Sequence, residues 1–150
     1  MGLALLAVIA TTACSGGSIA SLLPSAGPLI TLTMSGGECF DGPCGSVTII
    51  ERDGTVRQTL PAEATLGQVP PDLLAGLDTA IKAANFDAIR AVPFTGECPT
   101  AFDGQEWVYE FGAPGGLERI ASCETEIDPS SPPFAATVAA LVAVDVLAVP

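Results

Sequence analysis

The sequence predicts an α+β domain, with an antiparallel sheet of about four to five strands and two helices packed on one face of it. Two observations predict the sheet: short segments in which apolar and polar residues alternate, and turn signals that join such segments as hairpins. A third observation predicts the helices, because each of two other segments follows a proline pair and is long enough for several helical turns. The inferred element order is β-ββ-α-ββ-α.

The first three predicted strands lie close together in the chain. Apolar residues alternate with threonines over 30–34, which is the period of a half-buried strand. A second β-rich segment covers 46–51, and Asp53-Gly54 predicts a turn that leads into a third strand over 55–59. A two-residue loop would place Ile50 opposite Arg57 and a three-residue loop would place Glu51 there, so the register stays open.

A helix is predicted after the proline pair that precedes Asp72. Its apolar residues recur at helical spacing, whereas Asp78 and Lys82 lie four residues apart on the opposite, solvent-facing side. Packing in the core is the usual role of such a stripe. The stripe consists of Leu73, Leu74, Leu77 and Ile81.

A second hairpin is predicted from the alternation of Trp107, Tyr109 and Phe111 with polar or smaller residues. The turn at 113–116 leads into a strand over 117–123. We expect the aromatic face to pack inward, because so large an apolar area is normally buried. The alternative is an exposed ligand platform, for example for sugars.

The last predicted element is a helix over 134–148, which follows Ser131-Pro132-Pro133 and is apolar except for Thr137 and Asp145. It is short for a membrane span, so we expect it to pack on the sheet. An exposed interaction helix is the alternative.

Cys14 follows an apolar, uncharged segment and precedes a short Ser/Gly stretch. In this context Thr11-Thr12-Ala13-Cys14 resembles the lipobox of bacterial lipoproteins, although Thr11 stands where a larger aliphatic residue is usual and no positive charge precedes Arg52. The resemblance implies a signal peptide over 1–13, a lipidated Cys14 with a tether to residue 27, and one domain over 28–150. The implied location is the cell envelope of an exporting bacterium, with a lipid anchor in the membrane; an ordinary cleaved export signal is the alternative.

The charge balance limits the partners. Asp and Glu total 17 against 5 Lys and Arg, a net charge of -12. Nucleic acid is excluded as a partner because its phosphates need clustered cations, and anionic lipid headgroups would repel the domain. Membrane attachment would therefore come through the acyl chains on Cys14, and we expect an unidentified protein as the other partner.

Four cysteines remain after Cys14, an even number in a chain predicted to be exported. They predict two disulfides, and we favour local pairing of Cys39 with Cys44 and of Cys98 with Cys123. A four-thiolate zinc site is the alternative, but the spacing of these cysteines is loose for it.

The chain contains no histidine, which excludes Ser-His-Asp and Cys-His nucleophilic systems and histidine zinc sites. No nucleotide-binding glycine loop joins a strand to a helix, so we predict neither a cofactor nor catalysis. Carboxylates offer the one alternative, a calcium or hydrolytic site where two acidic groups would be brought together by a Cys98–Cys123 bridge. These groups are Glu97, Asp103 and Glu106 before the hairpin, and Glu124, Glu126 and Asp128 after it.

The succession of Gly36-Gly37-Glu38-Cys39, Cys44, the Asp53-Gly54-Thr55 turn, a Leu-rich helix, the Cys98 loop, a hairpin and a last helix resembles small domains of exported bacterial proteins. It is also similar to emfourin-type inhibitors of thermolysin-like metallopeptidases. This resemblance implies a binding or inhibitory role without catalysis. If Cys39 and Cys44 clamp the loop between them, Asp41, Gly42 and Pro43 are the expected contact residues, because a rigid loop loses little entropy on binding.

Overall fold

The computed structural model describes residues 27–37 and 44–147, and it confirms the α+β class. One antiparallel sheet holds six strands in the order β4-β3-β2-β1-β5-β6. The count exceeds the predicted four to five, because the prediction did not include β4. The strands are β1 Ile30–Ser35, β2 Gly45–Ile50, β3 Thr55–Leu60, β4 Ala64–Gln68, β5 Glu106–Ala113 and β6 Gly116–Ala121.

The helices follow the predicted order. α1 covers Pro71–Ala83, α3 covers Pro132–Val142, and a short α2 at Phe86–Arg90 was not predicted as a helix. A single-turn 3₁₀ helix at Pro99–Phe102 precedes β5. No helix within 27–37 and 44–147 is long and apolar enough to cross a membrane.

The helices cover one face of the sheet. Strand residues of alternate positions, such as Ile30, Ile50 and Phe111, join Leu77 of α1 and Phe134 of α3 in a single core cluster. Phe111 is fully buried and lies between Phe86 and Phe134, with ring centroids 5.2 and 5.7 Å away. The predicted inward packing of the β5 aromatic residues is therefore observed for Phe111 and Tyr109.

The turn between β2 and β3 contains three residues, 52–54, yet neither register considered from the sequence is correct. Ile49 lies opposite Arg57, and Ile50 lies opposite Val56. The loop is closed by the Glu51 N–H, which donates to the Thr55 carbonyl at 2.8 Å, so Glu51 pairs with Thr55 and not with Arg57. The partner of Arg57 is therefore two positions from the one expected for a three-residue loop and one position from the one expected for a two-residue loop. Arg57 consequently lies on the same face as Ile49, away from the core.

α3 is shorter than predicted because the chain leaves the helix after Val142. Asp145 adopts a left-handed conformation (φ 57°). Its N–H donates to the Val142 carbonyl at 3.1 Å, and the Val146 N–H donates to the Leu141 carbonyl at 3.0 Å. These two bonds satisfy carbonyls that the helix end leaves without partners, as in a Schellman motif.

Candidate functional site

A disulfide joins Cys98 to Cys123, with their Cα atoms 5.1 Å apart. It connects the loop before β5 to the residues that follow β6, as the sequence predicted. The same two segments are also joined by the backbone, because the Phe94 N–H donates to the Glu124 carbonyl at 3.1 Å and the Glu126 N–H donates to the Val92 carbonyl at 2.9 Å.

Cys44 is also disulfide-bonded. Its predicted partner Cys39 and the predicted contact residues Asp41, Gly42 and Pro43 lie outside the described residues, as does Cys14. The two ends of that loop, Gly37 and Cys44, are described.

The loop after β1 touches the loop before β5. Gly36 has φ +95°, and a Cβ at this position would lie 2.7 Å from the Gly104 carbonyl oxygen and 2.7 Å from Thr100 Cγ2. Gly37 has φ +89°, with the Asp103 carbonyl oxygen 3.3 Å from its Cβ position. Only glycine allows both this backbone conformation and this approach. We call residues 36–37, Cys44 and 98–105 together the braced end of the sheet.

The 3₁₀ helix within the braced end is closed by local bonds. The Ala101 N–H donates to the Cys98 carbonyl at 3.0 Å, and the Gly104 N–H donates to the Pro99 carbonyl at 2.8 Å. Asp103 ends the helix in a left-handed conformation (φ 60°). The fold thus holds Phe102 on a short, tied loop, and 69% of this residue is exposed to solvent. It is the most exposed large apolar residue among those the structure describes.

The acidic residues of the first predicted group surround this loop. Glu97 and Asp103 are exposed, and Glu106 is half-buried at the start of β5, opposite Ser35. None of the three takes part in an ion pair within the described residues. The braced end therefore carries negative charge that no nearby cation neutralises.

The acids of the second predicted group have other contacts. Glu124 accepts from Arg119 Nη1 at 3.1 Å, and Asp128 accepts from the N–H and hydroxyl of Ser130 at 2.9 and 2.6 Å. The hydroxyl and the backbone N–H of Ser130 lower the pKa of Asp128, because they stabilise its carboxylate. Glu126 is exposed. In the described part of the chain, no group of three or more Cys, Asp or Glu side chains is arranged to hold a metal ion.

All five cations of the chain are engaged within the domain. Glu118 and then Asp87 raise the pKa of Arg90 by accepting its hydrogen bonds. The five sets of contacts are Arg52 with the Gly27 and Gly112 carbonyls, Arg57 with Glu51, Lys82 with Asp78, Arg90 with Asp87 and Glu118, and Arg119 with Glu124. No described cation is left to serve as an electrophile beside an acid at the braced end.

A second concave feature lies beside the aromatic strand β5. Trp107 and Tyr109 line a cavity of about 280 Å³ together with Val138 and Leu147. Trp107 is half-buried and packs against the core cluster, so β5 presents no exposed aromatic platform. The sugar-binding alternative required three exposed rings on one strand face, and β5 does not present them.

Two residues of the braced end were not selected from the sequence, Thr100 and Phe102. A large apolar residue beside acids in a loop between a predicted disulfide cysteine and a strand is a usable signal for Phe102. No sequence feature pairs Thr100 with Gly36.

No family model, curated protein or solved structure matches this chain. The function proposed below therefore rests on the chain's own residues and their geometry.

Proposed function

We propose that this chain is a non-catalytic binding domain, held at the bacterial cell envelope by a lipid on Cys14, and that its braced end contacts a protein partner. A peptidase is the first partner to test. The single observation that carries the proposal is Phe102, exposed to 69% on a loop anchored by the Cys98–Cys123 disulfide.

An aromatic side chain on a rigid loop is suited to binding. Aromatic anchors contribute much of the energy of many protein interfaces, because they fill pockets on the partner. The loop around Phe102 is tied by its disulfide and local hydrogen bonds, so little conformational entropy is lost when it is bound. An aromatic side chain that stays exposed to water does not stabilise the domain, so its exposure is consistent with a role in binding.

The negative charge around Phe102 indicates which kind of partner surface would bind there. Glu97, Asp103 and Glu106 lie in or next to the braced end without ion-pair partners among the described residues. A partner with an apolar pocket bordered by Lys or Arg would match this arrangement in both shape and charge. Such a partner would associate faster at low salt than at high salt.

Site-specific photo-crosslinking tests the contact. We would place a photoreactive aromatic residue at position 102 in one variant and at position 117 in a matched control, since Leu117 is also exposed, to 63%, in the β5–β6 hairpin. We expect the 102 variant to crosslink a different protein of the envelope fraction, and the 117 variant to crosslink no protein other than this chain itself. Equal crosslinking from both positions would refute a contact at the braced end.

An inhibition assay tests the peptidase version of the proposal. We expect at least one secreted metallopeptidase to be inhibited by the intact domain, and Phe102→Ala to weaken that inhibition by roughly tenfold or more. Inhibition that Phe102→Ala leaves unchanged would reject the braced end as the inhibitory surface. If no peptidase of a broad panel responds to excess domain, the partner is of another class.

The lipid anchor is tested by the intact mass of the protein from the membrane fraction. We expect a chain that begins at Cys14 and carries added acyl mass, and we expect Cys14→Ser to move the protein to the soluble fraction. An unlipidated chain would reject the anchor while leaving the contact at the braced end open to its own test.

A further inference from the structure

One face of the sheet is not covered by any described helix. The side chains of this outer face come from the strand positions that alternate with the core residues, and none of Thr33, Val47, Ile49 and Val108 belongs to the core cluster. All four are half-buried. The outer face therefore has an apolar centre.

Two rows of side chains cross this face at right angles to the strands. In the first row, Leu60, Val47, Thr33 and Val108 are successive cross-strand neighbours. The register shift in β3 next to Val47 turns Leu60 onto this face, where it is 37% exposed. The first row is thus a continuous apolar strip with one threonine.

The second row lies next to the first and contains two opposite charges. Its central cross-strand neighbours are Arg57, Ile49, Thr31 and Glu110. The row continues from Arg57 to Thr65 in β4 and from Glu110 to Arg119 in β6. Arg57 donates through Nε to Glu51 at 3.0 Å and also through Nη2, and 41% of its side chain remains exposed. Arg57 and Glu110 therefore lie in one row, separated by three strand spacings, or roughly 14 Å.

The outer face is close to neutral, unlike the rest of the molecule. Its strand positions carry two arginines, Arg57 and Arg119, and two glutamates, Glu106 and Glu110, and Glu51, which pairs with Arg57, adds one negative charge. The whole chain has a net charge of -12. Two copies would repel each other least if they met through this face.

We propose that the outer face is the interface of a homodimer, in which the sheets of two copies pack face to face. A twofold axis parallel to the strands, running between β1 and β2, places β3 of one copy over β5 of the other. This operation sets Arg57 opposite Glu110 of the second copy, twice in each dimer because the interface is isologous. It also sets Leu60 opposite Val108 and Val47 opposite Thr33. The pattern of both rows is therefore complementary to itself under one symmetry operation.

The area is sufficient for a reversible dimer. Six strands about 4.8 Å apart and about 20 Å long give a face of roughly 500 Å² per copy. The two copies together would bury about 1,000 Å², the lower limit for a specific interface. We therefore expect a dimer that dissociates on dilution. Sheets packed in this way lie about 10 Å apart and align to within about 30°.

Sedimentation velocity of the full chain in detergent, from micromolar to several hundred micromolar, tests the proposal. Leu60→Asp should abolish the dimer, because it places a carboxylate in the apolar strip of each copy. Lys82→Glu, on α1 and therefore on the helical side of the sheet, is the control that should leave association unchanged. Thermal unfolding of each variant separates loss of association from loss of folding.

Charge reversal supplies the decisive comparison. Arg57→Glu alone and Glu110→Arg alone should each weaken the dimer by roughly tenfold or more, because each sets like charges opposite one another. The double variant restores opposite charges at each contact, so it should recover part of the lost affinity; Glu51 beside position 57 and Arg119 beside position 110 oppose full recovery. Failure of this recovery in a folded double variant, or a dimer that persists with Leu60→Asp, would overturn the proposed geometry. A wild-type chain that stays monomeric throughout, with Leu60→Asp lowering its melting temperature, would show that the chain covers its own outer face and would overturn the proposal.

Discussion

Arg52 joins the start of the domain to the end of β5. Its Nη2 donates to the Gly112 carbonyl at 2.9 Å, across 60 residues of sequence, and its Nε donates to the Gly27 carbonyl at 3.1 Å. Glycine at position 112 allows this contact, because the Cβ of any other residue would lie 2.5 Å from Arg52 Nη2. One side chain in the β2–β3 turn thus connects three separate parts of the chain.

Arg52→Gln is expected to lower the free energy of unfolding by about 1–2 kcal/mol, since two hydrogen bonds from a charged donor are lost. Urea denaturation followed by the fluorescence of Trp107, the only tryptophan, measures the change. Lys82→Gln is the matched control, because its ion pair with Asp78 is exposed and contributes at most about 0.5 kcal/mol. Equal effects of the two substitutions would contradict the connecting role of Arg52.

The Cys98–Cys123 disulfide is expected to contribute about 3 kcal/mol, because it closes a loop with a sequence separation of 25 in the unfolded chain. Cys98→Ala with Cys123→Ala should lower the free energy of unfolding by that amount. Reduction of the wild-type protein also breaks the disulfide of Cys44, so it should destabilise the domain by at least as much. A loss below about 1 kcal/mol would mean that the backbone pairing of the two segments holds them without the bridge.

Substitution of Phe111 is expected to lower the stability of the domain strongly, and substitution of Phe102 hardly at all. Phe111→Ala removes the centre of the aromatic cluster and should cost about 3–5 kcal/mol of stability. Phe102→Ala should change stability by no more than about 0.5 kcal/mol, since the side chain is exposed. Denaturation midpoints of both variants test this pair. A large stability loss from Phe102→Ala would assign that residue to packing and remove the main support for a contact there.

The elements with strong local patterns could be predicted from the sequence alone. The alternation in β1 and β5 and the helical spacing in α1 identified those elements, and local cysteine spacing identified the Cys98–Cys123 bridge. β4 was missed because Ala64–Gln68 contains one large apolar residue, Leu66, and no alternation, so its pairing with β3 decides its conformation. The approach of Gly36 to Gly104 depends on strand order, which no local pattern encodes.

Acid pH is expected to weaken the fold in part through Asp53. The backbone N–H of Thr55, which donates to Asp53 Oδ1 at 2.9 Å, is the main cause that lowers the pKa of this carboxyl. A carboxyl whose pKa is lower in the folded chain stabilises the fold above about pH 4, and this contribution disappears as pH falls through the folded pKa. Melting temperatures of the wild type and Asp53→Ala between pH 7 and pH 2 test the effect. The difference between them should shrink at the acid end, and a constant difference would contradict the assignment.

Alkaline pH is expected to unfold the domain through Tyr109, the only tyrosine. Burial raises the pKa of its hydroxyl, because the phenolate would lose hydration in the core. A group whose pKa is higher in the folded chain contributes its full stability below the unfolded value near 10, and that contribution is lost as pH rises through the folded pKa. Phenolate absorbance, titrated in buffer and in denaturant, should show a higher midpoint in buffer, with loss of the Trp107 fluorescence signature of the fold accompanying ionisation. Tyr109→Phe should extend the folded state to higher pH, and a native midpoint equal to the denatured one would show that the hydroxyl reaches water.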